Sequence, residues 1–127
     1  MKILHVITLS ELGGAQSVIL NLAKSAVEDG HEVMVASSVG GDLWNALPTS
    51  VIKQTIPSLV REISLSKEWQ VVKELRAINH AYKPDVIHLH SSKIGILGRI
   101  AFPNSKTIYT VHGFDSIRIA FRKFLYL

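Results

Sequence analysis

The sequence predicts an α/β fold in which helices cover both faces of a parallel β-sheet. Short apolar runs rich in β-branched residues alternate with segments whose apolar residues recur at helical spacing. Glycine or proline stands at most of the boundaries between these segments. Strands that are joined by helices run parallel, and right-handed crossovers bring them into one sheet. Of the 127 residues 47% are hydrophobic, so the chain can form one domain with its own core.

The first strand and the first helix are predicted from an apolar run and the glycine pair after it. Residues 3–9 are almost all apolar, as expected of a strand that is covered on both faces. Gly13 and Gly14 follow, and apolar residues then recur at helical spacing as far as Ala26. Gly30 stands where this helix is expected to end.

Two more strands and the longest helix are predicted in the middle of the chain. Residues 31–36 and 51–56 predict the second and third strands, and a loop with a short helix around Trp44 separates them. Residues 64–82 predict a helix that ends before Pro84. Its apolar residues recur at steps of four, three and four: Val71, Leu75, Ile78 and Tyr82.

The last third of the chain continues the alternation. Residues 85–90 and 107–111 predict the fourth and fifth strands. Ser91 and Ser92 are suitable N-cap residues for a helix between these strands, which ends before Pro103. A further helix is expected from residue 116 to residue 127. The predicted architecture is therefore a Rossmann-like three-layer sandwich with about five parallel strands in the order 3-2-1-4-5.

This strand order predicts where a ligand binds. In such sheets ligands bind beyond the carboxyl ends of the strands, where the strand order reverses. That position lies between the first and fourth strands, with the fifth alongside. Residues 10–14, 88–93 and 112–115 are all expected at this edge, which makes it the candidate site.

Gly13 and Gly14 have two interpretations, which the sequence leaves open. They allow a ligand close to the backbone at a helix N-terminus, where free N–H groups bind anions, or they form only a tight turn. Neither the dinucleotide motif G-x-G-x-x-G nor a P-loop occurs, and Ser37 and Ser38 stand where an NAD site has an acidic residue. An NAD-binding role is therefore disfavoured.

Four further residues that are expected near this edge, three histidines and one lysine, have side chains that can carry chemistry. His88 and His90 could pair on a metal, but no third ligand is evident, so a hydrogen-bonding role is favoured and no metal site is predicted. His90 stands at the strand end and is expected to meet a ligand. Lys93 suits a phosphate or carboxylate, or is an ordinary solvated lysine. His112 follows the fifth strand and can supply a hydrogen bond or proton, or merely cap the strand.

The composition excludes several classes of function. The absence of cysteine rules out disulfides, thiolate catalysis and cysteine–zinc sites. The net charge is +4, but the basic residues are scattered, so no nucleic-acid stripe is predicted. No apolar stretch approaches the roughly 18 residues that cross a bilayer. The apolar stripe of residues 117–125, with basic neighbours, fits a core-facing helix or contact with an anionic membrane.

Five blocks of this sequence carry a resemblance to a known family. They are LGGAQ at residues 12–16, GHEV at 30–33, KPDVIHLHSSK at 83–93, GILGR at 95–99 and TVHGF at 110–114. In this order they resemble the N-terminal domain of GT-B glycosyltransferases of family four. The resemblance implies a retaining hexosyltransferase of polysaccharide or glycolipid biosynthesis, which moves a sugar from a nucleotide-sugar donor to an acceptor hydroxyl. It implies no cofactor, and the nucleotide sugar is the donor substrate.

The resemblance also implies roles for individual residues. Gly13 and Gly14 match the loop that approaches the donor diphosphate. His112 matches the catalytic histidine that touches the donor sugar near the reacting carbon. His90, Ser91 and Lys93 match the loop that shapes the acceptor side. The resemblance implies no metal-binding residue.

The chain departs from the family in one large respect. Family members carry a second Rossmann-like domain with an E-x7-E motif, and no two glutamates here are so spaced. We therefore expect residues 1–127 to be a truncated N-terminal domain, inactive without the donor-binding domain. A cytoplasmic location is expected, with peripheral contact at the inner face of the membrane. The alternatives are a stand-alone Rossmann-like nucleotide or anion module, or part of a GT-B-fold sugar-nucleotide epimerase.

Overall fold

The computed structural model describes residues 1–8, 14–38, 41–59, 65–90, 92–103 and 106–110. The strands are β1 (Lys2–Val6), β2 (Glu32–Ser37), β3 (Ile52–Thr55), β4 (Val86–Leu89) and β5 (Thr107–Tyr109). The helices are α1 (Gly14–Glu28), α2 (Asp42–Ala46), α3 (Leu65–Tyr82) and α4 (Ser92–Ala101). The helix predicted for residues 116–127 lies outside the described residues.

The five strands form one parallel sheet in the order β3-β2-β1-β4-β5, which confirms the predicted topology. Strand β1 lies at the centre and pairs with β2 on one side and with β4 on the other. In this register His5 lies opposite Val35 of β2 and His88 of β4. The reversal of strand order therefore falls between β1 and β4, as predicted.

Alternate residues of the strands face two separate cores, because successive side chains in a strand point to opposite faces of the sheet. The larger core joins the sheet to α3 and α4. It includes Leu4, Val6, Ile87, Leu89, Val71, Leu75, Ile94, Leu97 and Phe102. The smaller core joins the opposite face to α1 and α2, and includes Ile7, Val33, Val35, Ile19, Ala23 and Leu43. His5 alternates with Leu4 and Val6, so it belongs to the face that α1 covers.

Helix α1 ends as the sequence predicts, at Gly30. Gly30 has a φ of 85°, a left-handed conformation that glycine adopts without a steric penalty. Its N–H donates to the Val27 carbonyl, and the N–H of His31 donates to the Ala26 carbonyl. These two bonds make a Schellman motif, which satisfies carbonyls at the end of the helix. The chain then enters β2 directly.

Four of the five observed strands are shorter than the predicted ones, whereas β2 has the predicted length and lies one residue later. Residues 3–9 predict the first strand, but β1 ends at Val6. Ile7 nevertheless remains buried, and its N–H donates to the Ala36 carbonyl. Apolar patterning records burial, whereas a strand ends where its ladder of hydrogen bonds ends. Among the described helices, none is long and apolar enough to cross a membrane.

Candidate functional site

The carboxyl edge of the sheet carries His90 and the beginnings of α1 and α4. His90 follows β4 directly, and its N–H donates to the Val6 carbonyl at the end of β1. Helices α1 and α4 begin at Gly14 and Ser92, after β1 and β4, so both N-termini lie at this edge. Helix N-termini present free N–H groups and partial positive charge to anions. The edge is therefore suited to a phosphorylated ligand.

Several of the predicted site residues lie outside the described part of the chain. They are Gly13, Ser91 and His112. The described residues place Gly14 at the first position of α1 and Lys93 at the second position of α4. The predicted meeting of the loop at Gly13 and Gly14 with Lys93 and His112 therefore stays a prediction.

Three histidines meet on the α1 face of β1 and β4. The Nδ1 atom of His5 lies 2.9 Å from the Nε2 atom of His90, within hydrogen-bond distance. The rings of His88 and His90 are stacked, with centroids 3.8 Å apart. The His88 ring also contacts the Thr110 hydroxyl through Nε2. This group, which we call the histidine cluster, joins β1, β4 and the end of β5.

The histidine cluster is largely removed from water. His5 is 3% exposed and His90 is 1% exposed, whereas His88 is half-buried. Burial, together with a smaller contribution from repulsion by His88, lowers the pKa of His5 from 6.5 to about 4. His5 is thus neutral at physiological pH, and one ring nitrogen of the His5–His90 pair donates its proton to the other.

His90 is therefore more enclosed than its position at the strand end suggests. The prediction that it contacts an acceptor requires access to a side chain that is buried against His5 and His88. His90 fixes the start of the segment that leads to Ser91 and Lys93. The sequence did not identify His5 as its partner, because the two residues are 85 positions apart.

Lys93 forms an ion pair that the sequence did not reveal. Its Nζ lies 2.5 Å from Oε1 of Glu68, and the two side chains are only 17% and 15% exposed. Glu68 lies in the first turn of α3, so the pair joins the beginnings of α3 and α4. A sheltered pair of this kind interacts more strongly than an ordinary surface pair. Lys93 is consequently held in a fixed position at the carboxyl edge rather than extended into solvent.

Comparisons of the sequence with known proteins point to one family of enzymes. Residues 12–127 match Glycosyltransferase Family 4. The chain is 35% identical over 117 residues to the Escherichia coli UDP-Gal:alpha-D-GlcNAc-diphosphoundecaprenol alpha-1,3-galactosyltransferase. That match covers 90% of this chain and 30% of the galactosyltransferase. The chain thus spans about a third of the length of this relative.

Two solved structures share the fold. The structure of Anabaena HepE in complex with UDP matches with a TM-score of 0.59 and 23% identity, over 86% of this chain and 29% of HepE. Phytolacca americana UGT2, complexed with UDP-2fluoro-glucose and pterostilbene, matches with a TM-score of 0.53 and 12% identity, over 87% of this chain and 30% of UGT2.

The resemblance inferred from the five sequence blocks is confirmed by these matches. They do not favour a stand-alone module or a sugar-nucleotide epimerase. The family match extends over most of the described elements, from the start of α1 through β5. The chain belongs to glycosyltransferase family 4.

Proposed function

We propose that this chain is the acceptor-side domain of a glycosyltransferase that moves a hexose from a nucleotide-sugar donor to an acceptor hydroxyl. The family match over residues 12–127 carries the proposal. The 35% identity to a galactosyltransferase supports a hexose as the transferred group. Residues 1–127 then act with a second domain that binds most of the donor.

The donor is a uridine diphosphate sugar. The relative is named for UDP-Gal, and the HepE structure contains UDP. In this chain the N-terminus of α1, which begins at Gly14 and is preceded by Gly13, would receive the diphosphate. Peptide N–H groups at a helix N-terminus stabilise negative charge. That charge grows on the diphosphate as its bond to the sugar breaks, so the contact strengthens in the transition state.

The acceptor lies against the segment that follows β4. The galactosyltransferase relative is named for a diphosphoundecaprenol-linked sugar, which suggests a lipid-linked acceptor. Ser91 and Lys93 would orient the acceptor, with the Lys93 ammonium shared between Glu68 and an acceptor phosphate. His90, which is buried against His5 and His88, would position this segment rather than contact the acceptor. The oxygen of the acceptor hydroxyl forms the new bond to the anomeric carbon, and the nucleoside diphosphate leaves with the electron pair of the old bond. The hydroxyl proton passes to the departing diphosphate.

His112 is proposed as the catalytic histidine of this reaction, near the reacting carbon of the donor. The transfer retains the anomeric configuration and uses no metal and no cofactor besides the nucleotide sugar. These statements rest on the family's motif TVHGF at residues 110–114. A histidine at the carboxyl end of a strand can hydrogen-bond to a developing charge.

Sugar transfer tests the proposal directly. The 127-residue chain is assayed alone and joined to the C-terminal part of the E. coli galactosyltransferase, with UDP-galactose and a diphosphate-linked GlcNAc acceptor. We expect transfer only from the joined protein, because residues 1–127 correspond to only 30% of the galactosyltransferase. Within the joined protein, His112→Gln should lose transfer, and the control His31→Gln, at the opposite edge of the sheet, should keep it.

Each of three opposite results would contradict a different part of the proposed function. Transfer by the chain alone would contradict its inactivity as a fragment. Full transfer by the His112→Gln protein would remove the catalytic role of His112. A joined protein that binds UDP-galactose but transfers to no diphosphate-linked sugar would contradict the proposed acceptor class.

We also propose that the domain works in the cytoplasm, in peripheral contact with the inner face of the membrane. Exposed apolar residues of α3 and α4 form one patch: Leu65 (86% exposed), Trp69 (53%) and Ile100 (47%). The Arg76 guanidinium lies over the Trp69 ring. Exposed aromatic and aliphatic side chains with basic neighbours favour an anionic lipid surface. A lipid-linked acceptor would reach the site from that surface.

Sedimentation with vesicles that contain anionic phospholipid tests the membrane contact. The double variant Leu65→Ser, Trp69→Ser should bind several-fold more weakly than the original protein, because it loses the two most exposed apolar side chains of the patch. Ile52→Ser is the matched control, since Ile52 is a similarly exposed residue on β3. Equal binding by all three proteins would contradict the assignment of this patch.

A further inference from the structure

We propose that the histidine cluster is a binding site for a divalent transition-metal ion, Zn²⁺ in the first instance, coordinated by His5, His88 and His90. The site is separate from the chemistry of sugar transfer, and no step of the transfer is assigned to the ion. The sequence argued against a metal because it offered only His88 and His90. The structure adds His5 from the neighbouring strand.

The spacing of the three imidazoles suits a single ion. One ligand nitrogen from each ring can be chosen so that all three atoms lie within 4.8 Å of one another. Zn²⁺ binds histidine nitrogens at about 2.0–2.1 Å in tetrahedral geometry, which places two ligand nitrogens roughly 3.4 Å apart. The His5–His90 contact of 2.9 Å would have to widen by a fraction of an ångström. Small rotations of the side chains bring about such changes without moving the strands.

The strands hold the imidazoles in place before any ion arrives. His5 and His88 lie opposite each other in the β1–β4 register, and His90 lies two residues beyond His88 on the same face. The Thr110 hydroxyl contacts the His88 ring from the end of β5. Outer contacts of this kind fix the orientation of a ligating histidine and strengthen metal binding. Most of the conformational entropy of the three side chains is therefore lost when the domain folds, and little more is lost when an ion binds.

The surroundings favour neutral imidazole, which is the form that binds metal. Burial disfavours the imidazolium ion, so protons compete poorly for the ring nitrogens. When the ion displaces the hydrogen between His5 and His90, that hydrogen can move to the other nitrogen of the same ring, which keeps both rings neutral. Three imidazoles without thiolates or carboxylates suit Zn²⁺ and its neighbours in the first transition row better than Mg²⁺ or Ca²⁺.

An ion can reach the histidine cluster from one side. A groove of about 250 Å³ opens beside α1 and is lined by His5 and His88 together with apolar residues. Three protein ligands leave a fourth position on the ion, which water from this groove can fill. The bound ion would join β1 to β4 at the point where the strand order reverses, directly behind the carboxyl edge. It would thereby stiffen the two strands from which the glycine loop and the Lys93 segment emerge.

Titration with Zn²⁺ tests the inference on the untagged chain after treatment with a chelator. Calorimetry should give one ion per chain, and NMR should show shifts in the ring nitrogens of His5, His88 and His90 together. Co²⁺ should give the visible absorption of a tetrahedral site, and excess Zn²⁺ should remove it. NMR identifies the ligands in the unmodified protein, so this readout survives if a variant fails to fold.

Variants separate the cluster from incidental surface histidines. His88→Gln alters the most exposed member and should weaken Zn²⁺ binding at least about tenfold, as expected when a ligand is lost. His31→Asn with His80→Asn is the control, because His31 contacts the chain's N-terminal amine and could bind metal there. We expect this control to bind as the original protein does. Binding that disappears in the control, or ring shifts confined to His31 and His80, would overturn the inference, as would the absence of one-to-one binding at micromolar Zn²⁺.

Discussion

Replacement of Gly98 by valine is expected to lower the free energy of unfolding by about 3 kcal/mol, at the upper end of the cost of overpacking a core. A Cβ atom on Gly98 would lie 2.6 Å from Cδ1 and 2.7 Å from Cδ2 of Leu89. Leu89 is fully buried in the larger core, so its methyl groups have no free space to enter. Valine has only a slightly better helix propensity than glycine, a gain of a few tenths of a kcal/mol that does not offset the clash.

Urea unfolding measures this effect through the midpoint and slope of the transition. A double-mutant cycle with Leu89→Ala tests the clash. Each single variant should lower the free energy of unfolding, and the double variant should lower it by less than the sum of the two single losses. The smaller residue at position 89 makes room for the valine. Ile96→Val, on the exposed face of α4, is the control and should change stability by less than about 0.5 kcal/mol. A Gly98→Val protein as stable as the original would mean that α4 can move away from β4 at little cost.

Acidification is expected to destabilise the metal-free domain through His5. Its pKa is 6.5 in the unfolded chain and about 4 in the folded domain, so the unfolded state binds more protons between these two values. Stability should therefore fall as the pH drops from 6.5 towards 4 and stop falling below that range. The difference in pKa corresponds to about 3 kcal/mol. His88 and His90 face His5 across the cluster, and repulsion from His88 contributes to the lowered pKa of His5.

Urea unfolding at a series of pH values in the presence of a chelator measures the slope. His5→Asn should remove most of the dependence between pH 6.5 and pH 4, since asparagine does not titrate and can keep a polar contact with His90. His80→Asn, on the exposed face of α3, should leave the dependence unchanged. NMR of the His5 ring in the unmodified protein gives the same information without a variant. A His5 pKa near 6.5 in the folded protein would contradict the prediction.

The fold was largely predictable from the sequence because burial is periodic along the chain. The continuous apolar runs at β1 and β2 indicated strands covered on both faces, and the apolar steps from Val71 to Tyr82 indicated α3. Gly30 marked the end of α1. Given these elements, the handedness of crossovers and the position of β1 restrict the strand order to very few arrangements. The exact strand ends were less predictable, since Ile7 is buried beyond the last ladder residue of β1.

The candidate site was only partly predictable. The sequence indicated the carboxyl edge, because strand order alone fixes where the order reverses. The structure adds that Gly95 and Gly98 allow close packing, because a Cβ atom at either position would lie within 3 Å of Tyr109 or Leu89. The roles of Gly13, Ser91 and His112 stay predictions, because these residues lie outside the described part of the chain.

By itself the sequence determined the α/β class, the strand order and the family, because periodicity and local motifs are properties of neighbouring residues. Only the tertiary structure decided which distant side chains meet. His5 reaches His90 across 85 positions and Lys93 reaches Glu68 from another helix, and neither pairing leaves a signal in local spacing. Such contacts are set by strand register and by the packing of α3 against α4. These depend on how the whole core closes, so the environments of His90 and Lys93 emerge only in the folded domain.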